Sequence, residues 1–407
     1  MDKVKNSKIF ELTIFIYLTM MISGASSIAS NDLIRIIVLL ALIVYGCMKR
    51  ERMYNNTLIY IFGGWVVINI LASIFLGENI AYYQFIGKMV LIYTAFLILS
   101  YIGKEFWDKY EKFLYILVII SSGFYILSLL VPSFFENLTS IFRPFTNEVF
   151  YRKESQQHYF YSFFFVFKGG DTIYRNNGFM WEPGAYAMLL NILLAYNFSK
   201  NEVLFNRRNV LYILALITTF STAGYISLFI LLLLFLFKDQ NIHIKLIAAI
   251  LGILAISWLL NVDFLLPKIE RFIQSAQEGS FAHQGYRDLY EANRILSFKL
   301  LFDKFILFPL GWGCVQDNSS YMALNQIVTV NGIGNILVTW GILGFCFFMF
   351  SIWLFYFNCS KSNLTASILF ILVAVSFFSN PIENNILLYI LSLSPYLTGD
   401  NKYEILS

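Results

Sequence analysis

Long runs of apolar residues recur along this chain from its first turns to its last, and most are about as long as a membrane is thick. A helix needs about 20 mostly apolar residues to cross the hydrocarbon core. Runs of that kind fall near 9–29, 33–48, 57–76, 84–103, 113–131, 183–198, 244–260, 333–357, 363–380 and 385–396. Inside a bilayer every backbone N–H and C=O must be paired within the protein, so an apolar run this long is solved as a helix. The stretch 209–237 exceeds one crossing and carries Ser221-Thr222-Ala223-Gly224 at its middle. Small and polar residues there can satisfy a broken helix, which predicts two short helices, 209–220 and 223–237, joined by a turn. The expected fold is all-α: one polytopic integral membrane domain, 1–407, of about twelve transmembrane helices.

Composition agrees. Of 407 residues, 58% are hydrophobic and 13% charged, against roughly 25% charged in soluble domains. A soluble enzyme, a disordered scaffold and a nucleic-acid binder are excluded. The net charge of +4 is small, and Lys and Arg form short clusters between apolar runs. Lys3, Lys5 and Lys8 ahead of the first run resemble a signal peptide, but the run is longer than a signal core and reads as a retained first helix. Cys47, Cys314, Cys346 and Cys359 show no paired spacing and read as small buried hydrophobes. His158, His283 and the third histidine, His243, lie far apart, so neither a metal nor another cofactor is expected.

The clusters give an orientation. Lys3, Lys5 and Lys8; Lys49, Arg50 and Arg52; Lys104, Lys109 and Lys112; Lys200, Arg207 and Arg208; Lys238 and Lys245; Lys361; and Lys402 fall on alternate connections. The short connections between them, Asn31-Asp32, 77–82 and 381–384, hold no Lys or Arg. The positive-inside rule then makes both termini cytoplasmic, and a single helix through 209–237 would reverse everything after it. Two long segments, 132–182 and 261–332, fall outside and hold most of the remaining charge.

Candidate chemistry concentrates there. Glu182-Pro183-Gly184 sits where the chain re-enters the membrane. Glu182 is read either as a helix N-terminal cap or as a carboxylate able to take a proton or orient a hydroxyl. Arg175 is either a loop cation or a fork for phosphate. The stretch Asp288 to Phe305 has helical periodicity, which places Arg287, Glu291 and Arg294 on one polar face, as a salt-bridge ladder or an anion clamp. His283 is the one histidine of its segment, incidental or a base. Arg35 and Lys88 lie just inside the outer ends of spans, either snorkelling to the interface or holding a lipid pyrophosphate. Few charges fall deep in a span, which argues against an ion-coupled transporter.

This pattern resembles the bacterial O-antigen and capsular repeat-unit polymerases (Wzy-type) and the related O-antigen ligases. The resemblance lies in ten to twelve spans, a large external loop in the C-terminal half, Arg175 with Glu182-Pro183-Gly184, the break Thr218-Thr219-Phe220-Ser221-Thr222-Ala223-Gly224, and an Arg-bearing helix ahead of Gly311-Trp312-Gly313 with Gly341-Ile342-Leu343-Gly344 beyond. It implies a GT-C-like, metal-independent glycosyltransferase in the bacterial cytoplasmic (inner) membrane. Its partners would be undecaprenyl-pyrophosphate-linked oligosaccharides used on the external face, membrane lipid, a Wzz-type chain-length regulator and a flippase, with no nucleic acid. The family's loop arginines would fall on Arg175 and on Arg287 or Arg294. Gly334-Asn335 stands where the family has His-Asn, and Ser221-Thr222 where it has Ser-Arg. A family histidine would then have to be His283. Within that reading Arg175, Arg287 and Arg294 hold pyrophosphate, Glu182 or His283 serves as base, and Trp181, Tyr286, Trp312, Tyr159 and Tyr161 stack on sugar rings. Glu291 would hold the arginines, and Arg35 and Lys88 would contact the lipid phosphate. The alternatives are an O-antigen ligase and, from another class, a lipid-linked oligosaccharide flippase or exporter.

Overall fold

The computed structural model describes residues 2–49, 53–148, 158–169, 175–238, 282–284, 289–291, 294–315, 327–328 and 330–397. The protein is mostly helical. In chain order the elements that matter for function begin with α1 (Asp2–Ser23), α2 (Ser27–Ser30), α3 (Asp32–Lys49), α4 (Asn56–Leu76), α5 (Tyr82–Ile102), α6 (Phe106–Leu130) and α7 (Pro132–Phe142). They continue with strands β1 (Tyr159–Ser162) and β2 (Phe165–Lys168), then α8 (Pro183–Asn201), α9 (Arg207–Ile217) and α10 (Thr222–Lys238). The remainder is β3 (Ala282–Gln284), β4 (Leu289–Glu291), α11 (Arg294–Leu307), β5 (Ile327–Val328), α12 (Gly332–Ser360), α13 (Asn363–Phe378) and α14 (Ile386–Leu397).

Among the described residues three stretches are by length and composition long and apolar enough to cross a membrane: Asn56–Leu76, Tyr82–Leu130 and Gly332–Ser360. The second bends at Gly103–Glu105 into α5 and α6. Others are shorter: α9 has 11 residues and α14 has 12, so at 1.5 Å per residue neither reaches across the hydrocarbon core alone. The run 244–260 lies outside the described residues. Large apolar side chains such as Leu33, Val44, Met48, Ile74 and Phe75 face outward, while asparagines and serines such as Asn69, Asn191, Ser227 and Ser392 are buried. That distribution suits lipid, where small polar residues join helices.

The expected break in 209–237 forms. Helix α9 ends at Ile217 and α10 begins at Thr222, with Phe220 in left-handed backbone between them. Lys238, at the far end of α10, pairs with Glu202, which caps α8 just before α9 begins, so α9 and α10 make a hairpin against α8.

Helix α12 breaks at Gly341 (φ 65°, ψ −175°), and the turn before Val315 fills the break. Trp312 N donates to Val338 O (2.8 Å), Gly313 N to Thr339 O (3.0 Å) and Ile342 N to Pro309 O (2.9 Å). A side chain on Gly341 would collide with the Leu310 carbonyl, so the two glycine motifs noted in the sequence lock each other.

The extended elements are the main departure from an all-α expectation. β1 and β2 form an antiparallel hairpin with Ser162 opposite Phe165. Side chains alternate across a strand, and here both faces are covered. Phe160, Phe165 and Phe167 pack on Tyr125 and Phe135. Tyr159, Tyr161 and Val166 pack on Ala25 and Trp181. The hairpin thereby fixes the segment that leads into α8. A second correction concerns Asp288 to Phe305, where helix α11 starts only at Arg294. Leu289–Glu291 pairs instead as β4 with β3, His283 opposite Tyr290, and with β5. Strand pairing takes up the backbone of Glu291, so Glu291 and Arg294 do not share the expected polar helix face, and Arg287 lies outside the described residues.

Candidate functional site

Helix α8 begins with Pro183 in its first turn, where a missing N–H costs nothing. Glu182 before it is extended (φ −151°, ψ 159°), and its side chain makes no capping bond to α8. Its carbonyl accepts from Tyr186 N (3.1 Å), and the half-buried carboxylate is turned elsewhere. Trp181 is stitched on both sides: its N–H donates to Ser23 O (3.0 Å) at the end of α1, and its carbonyl accepts from the Tyr159 hydroxyl (3.0 Å). Tyr159 is buried. That burial first, and the nearby Glu182 carboxylate next, push its phenol well above the ordinary tyrosine range.

The carboxylate turns toward the connection that follows α13. Asn380 is 1% exposed, and its Nδ2 donates to Ser376 O (2.7 Å), closing one of the carbonyls left open at the end of α13. Its Oδ1 is buried and has no hydrogen-bond partner. A Cβ built on Gly184 would lie 3.1 Å from Asn380 Oδ1 and 3.6 Å from Glu182 Oε1, so the bare side of Gly184 faces both oxygens. On the same connection Arg294 Nε donates to Ser379 O (3.3 Å). Asn331, the cap of α12, donates to Arg294 O (3.2 Å) and accepts from Gly334 N (2.7 Å).

Arg175 binds the break between α9 and α10. Its Nε donates to Thr219 O (3.0 Å) and its Nη2 to Phe220 O (2.9 Å), while Asn176 N meets Thr218 O (3.0 Å). A cation suits the carbonyl end of a helix. The break itself abuts α8, where a Cβ on Gly224 would meet Ala187.

Lys88 does not snorkel. It is 5% exposed, with its ammonium donating to the Glu383 carboxylate and to Asn384 Oδ1 (2.6 Å) and lying 6.0 Å from the Trp65 ring centre. Arg35 donates to Ala29 O (2.7 Å) and pairs with Asp32 at 3.1 Å, closing α2. Trp312 sits in the turn that fills the α12 break, its indole donating to Lys304 O (3.0 Å) and its ring under the Lys304 ammonium at 4.1 Å.

Of the residues singled out in the sequence, Glu182 and Arg294 lie at the α13–α14 connection, Trp181 packs on the turn after α1, and Arg175 braces the neighbouring break. Lys88 joins the same connection through Glu383, whereas Arg35 and Trp312 serve other junctions. His283 and Glu291 are backbone positions on β3 and β4, and Tyr286 and Arg287 lie outside the described residues. Sequence reasoning missed Asn380 and Glu383. The polar run Asn380-Pro381-Ile382-Glu383-Asn384-Asn385 between two apolar helices was their one signal. Among the described residues no three His, Cys, Asp or Glu side chains are grouped to hold a metal ion.

The arrangement can accept hydrogen bonds at Glu182 and Asn380, take a proton at Glu182, and place the Arg294 guanidinium at the same connection. Comparison with protein-family models, curated proteins and solved structures gives no match.

Proposed function

We propose that this protein is a membrane glycosyltransferase that polymerises lipid-pyrophosphate-linked oligosaccharide repeat units. The observation that carries the reading is the meeting of Glu182, Asn380 and Arg294 at the connection after α13. Such a transfer asks for two things: a base for the acceptor hydroxyl and fixed positive charge for the departing pyrophosphate. In the mechanism we favour, the terminal hydroxyl of one repeat unit attacks the anomeric carbon of a growing chain. The bond from that carbon to the pyrophosphate oxygen breaks, Glu182 takes the hydroxyl proton, and Arg294 stabilises the charge left on the pyrophosphate.

The twelve-span arrangement with cytoplasmic termini belongs to the same proposal. Its support is the α9–α10 hairpin together with Lys200, Arg208 and Lys238, which cluster where α8 ends and α9 begins, at the opposite end of α8 from Glu182. The positive-inside rule then puts Glu182 on the external face of a bacterial inner membrane.

The test is reconstitution in lipid nanodiscs with repeat units on undecaprenyl pyrophosphate, isolated from the host. Wild-type protein should produce a ladder of polymers, and Glu182→Gln and Arg294→Ala should abolish it. A folded wild-type protein that leaves this substrate unextended would contradict the proposal.

A further inference from the structure

We infer that Asn380 reads the acceptor sugar: its Oδ1 accepts a hydrogen bond from the hydroxyl next to the one that attacks, so the site selects an acceptor with two adjacent free hydroxyls. The inference rests on the glycosyl-transfer reading and adds a residue and a substrate feature to it.

Three observations combine. The first is a count of hydrogen bonds. Asn380 spends its amide nitrogen on Ser376 O at the end of α13, which leaves Oδ1 buried and without a partner. Buried amide oxygens are nearly always paired; Asn380 Oδ1 is left over at the start of α8 near Glu182, and there the missing donor is assigned to the substrate.

The second is placement. Asn380 Oδ1 and Glu182 Oε1 both lie within 3.6 Å of the point where Gly184 would carry a Cβ. A hydroxyl carries one hydrogen, so an attacking hydroxyl that gives its proton to Glu182 has none for Asn380. The donor to Asn380 is then a second hydroxyl, and since both oxygens lie around one point at the start of α8, it is assigned to the neighbouring position of the same ring.

The third is the glycine. Gly184 is the second residue of α8, where any residue fits the helical backbone. A methyl there would press on Asn380 Oδ1 at 3.1 Å and touch Glu182 Oε1 at 3.6 Å, so the bare glycine leaves the space between α8 and the two oxygens free of a side chain. The remaining polar groups of this seam, Ser227 and Ser376, hydrogen-bond each other at 3.0 Å, and Ser227 also donates to Leu372 O (3.1 Å), so they hold α10 against α13.

The experiment uses the full-length protein in nanodiscs, with donor chains on undecaprenyl pyrophosphate held at saturation. Two acceptors are compared: the methyl glycoside of the host's repeat unit, and its deoxy analogue lacking the hydroxyl next to the attacking position. The readout is the ratio of kcat/KM for the two acceptors, which does not depend on how much of a variant has folded. Wild type should prefer the parent acceptor about tenfold, the size of one neutral hydrogen bond. Asn380→Leu should use both alike, at the rate wild type gives the deoxy analogue. Asn380→Asp, which when protonated can still donate to Ser376 O and accept at its other oxygen, should restore the preference at low pH and lose it as the introduced carboxyl ionises. Gly184→Ala should depress use of both acceptors. An undiminished preference in Asn380→Leu would overturn the inference while leaving the transferase reading intact. A wild type that transfers to neither acceptor would overturn the reading itself.

Discussion

The two ends of α8 treat their buried polar oxygens differently. Where α8 ends, Glu111 of α6 is 2% exposed and surrounded by donors. Arg208 Nη1 reaches one carboxylate oxygen at 2.6 Å, and the Tyr212 hydroxyl (2.9 Å) and Asn197 Nδ2 (3.2 Å) reach the other. Asp108 with Lys200 and Tyr196, and Glu11 with Lys109, repeat the pattern nearby. Where α8 begins, Glu182 is half-buried, and Asn380 Oδ1 lies on the same side of Gly184. A buried carboxylate ringed by donors is a structural joint. At the other end the acceptor left without a partner is Asn380 Oδ1, beside the first turn of α8, and a leftover acceptor there suits a ligand that donates.

If that contrast is real, substitutions should separate by end. The largest effect tests an ion pair that sits on the Glu182 side yet is built like the other end. Lys88→Met should cost about 4 kcal/mol by leaving Glu383 buried without its cation. The double variant Lys88→Met with Glu383→Leu should recover most of it, read from melting in nanodiscs. No recovery would mean that Glu383 has a task beyond pairing. Next, Glu111→Leu should cost about 3 kcal/mol, because Tyr212 and Asn197 lose a shared acceptor while half-exposed Arg208 still reaches water. Turnover per folded molecule should stay at the wild-type level. The smallest effect belongs to Arg175→Ala, about 1–2 kcal/mol from two donations to the Thr219 and Phe220 carbonyls, with a modest loss of activity as the α9–α10 break loosens. A loss of activity as deep as that of Glu182→Gln, at unchanged stability, would instead move Arg175 into the reacting site.

Much of the frame was legible in the sequence because lipid imposes a simple code. The apolar runs at 57–76, 84–103, 333–357 and 385–396 differ by a few residues at most from α4, α5, α12 and α14. The break at Ser221 followed from small polar residues inside an overlong run, and the turn at 311–313 was visible, but the glycines at 341–344 were read inside one span, so neither the break at Gly341 nor the turn that fills it was foreseen. Strands β1 and β2 were missed because Tyr159–Lys168 gains its stability from packing partners on α6, α7 and the turn after α1, which no local window contains. Lys88 looked like a snorkelling lysine because Glu383 lies 295 positions away. Asn380 was missed for a different reason: the useful fact is which of its two amide atoms remains after α13 is capped, and that is a count of hydrogen bonds in space.

The most direct test sets Glu182→Gln beside Glu111→Gln in one nanodisc preparation, with melting temperature and chain elongation read from the same samples. The account predicts a crossed result. Glu182→Gln should melt with wild type and lose elongation by about a hundredfold or more, the scale of a missing base. Glu111→Gln should melt several degrees lower and elongate normally per folded molecule. Elongation at the wild-type rate by Glu182→Gln would contradict the account.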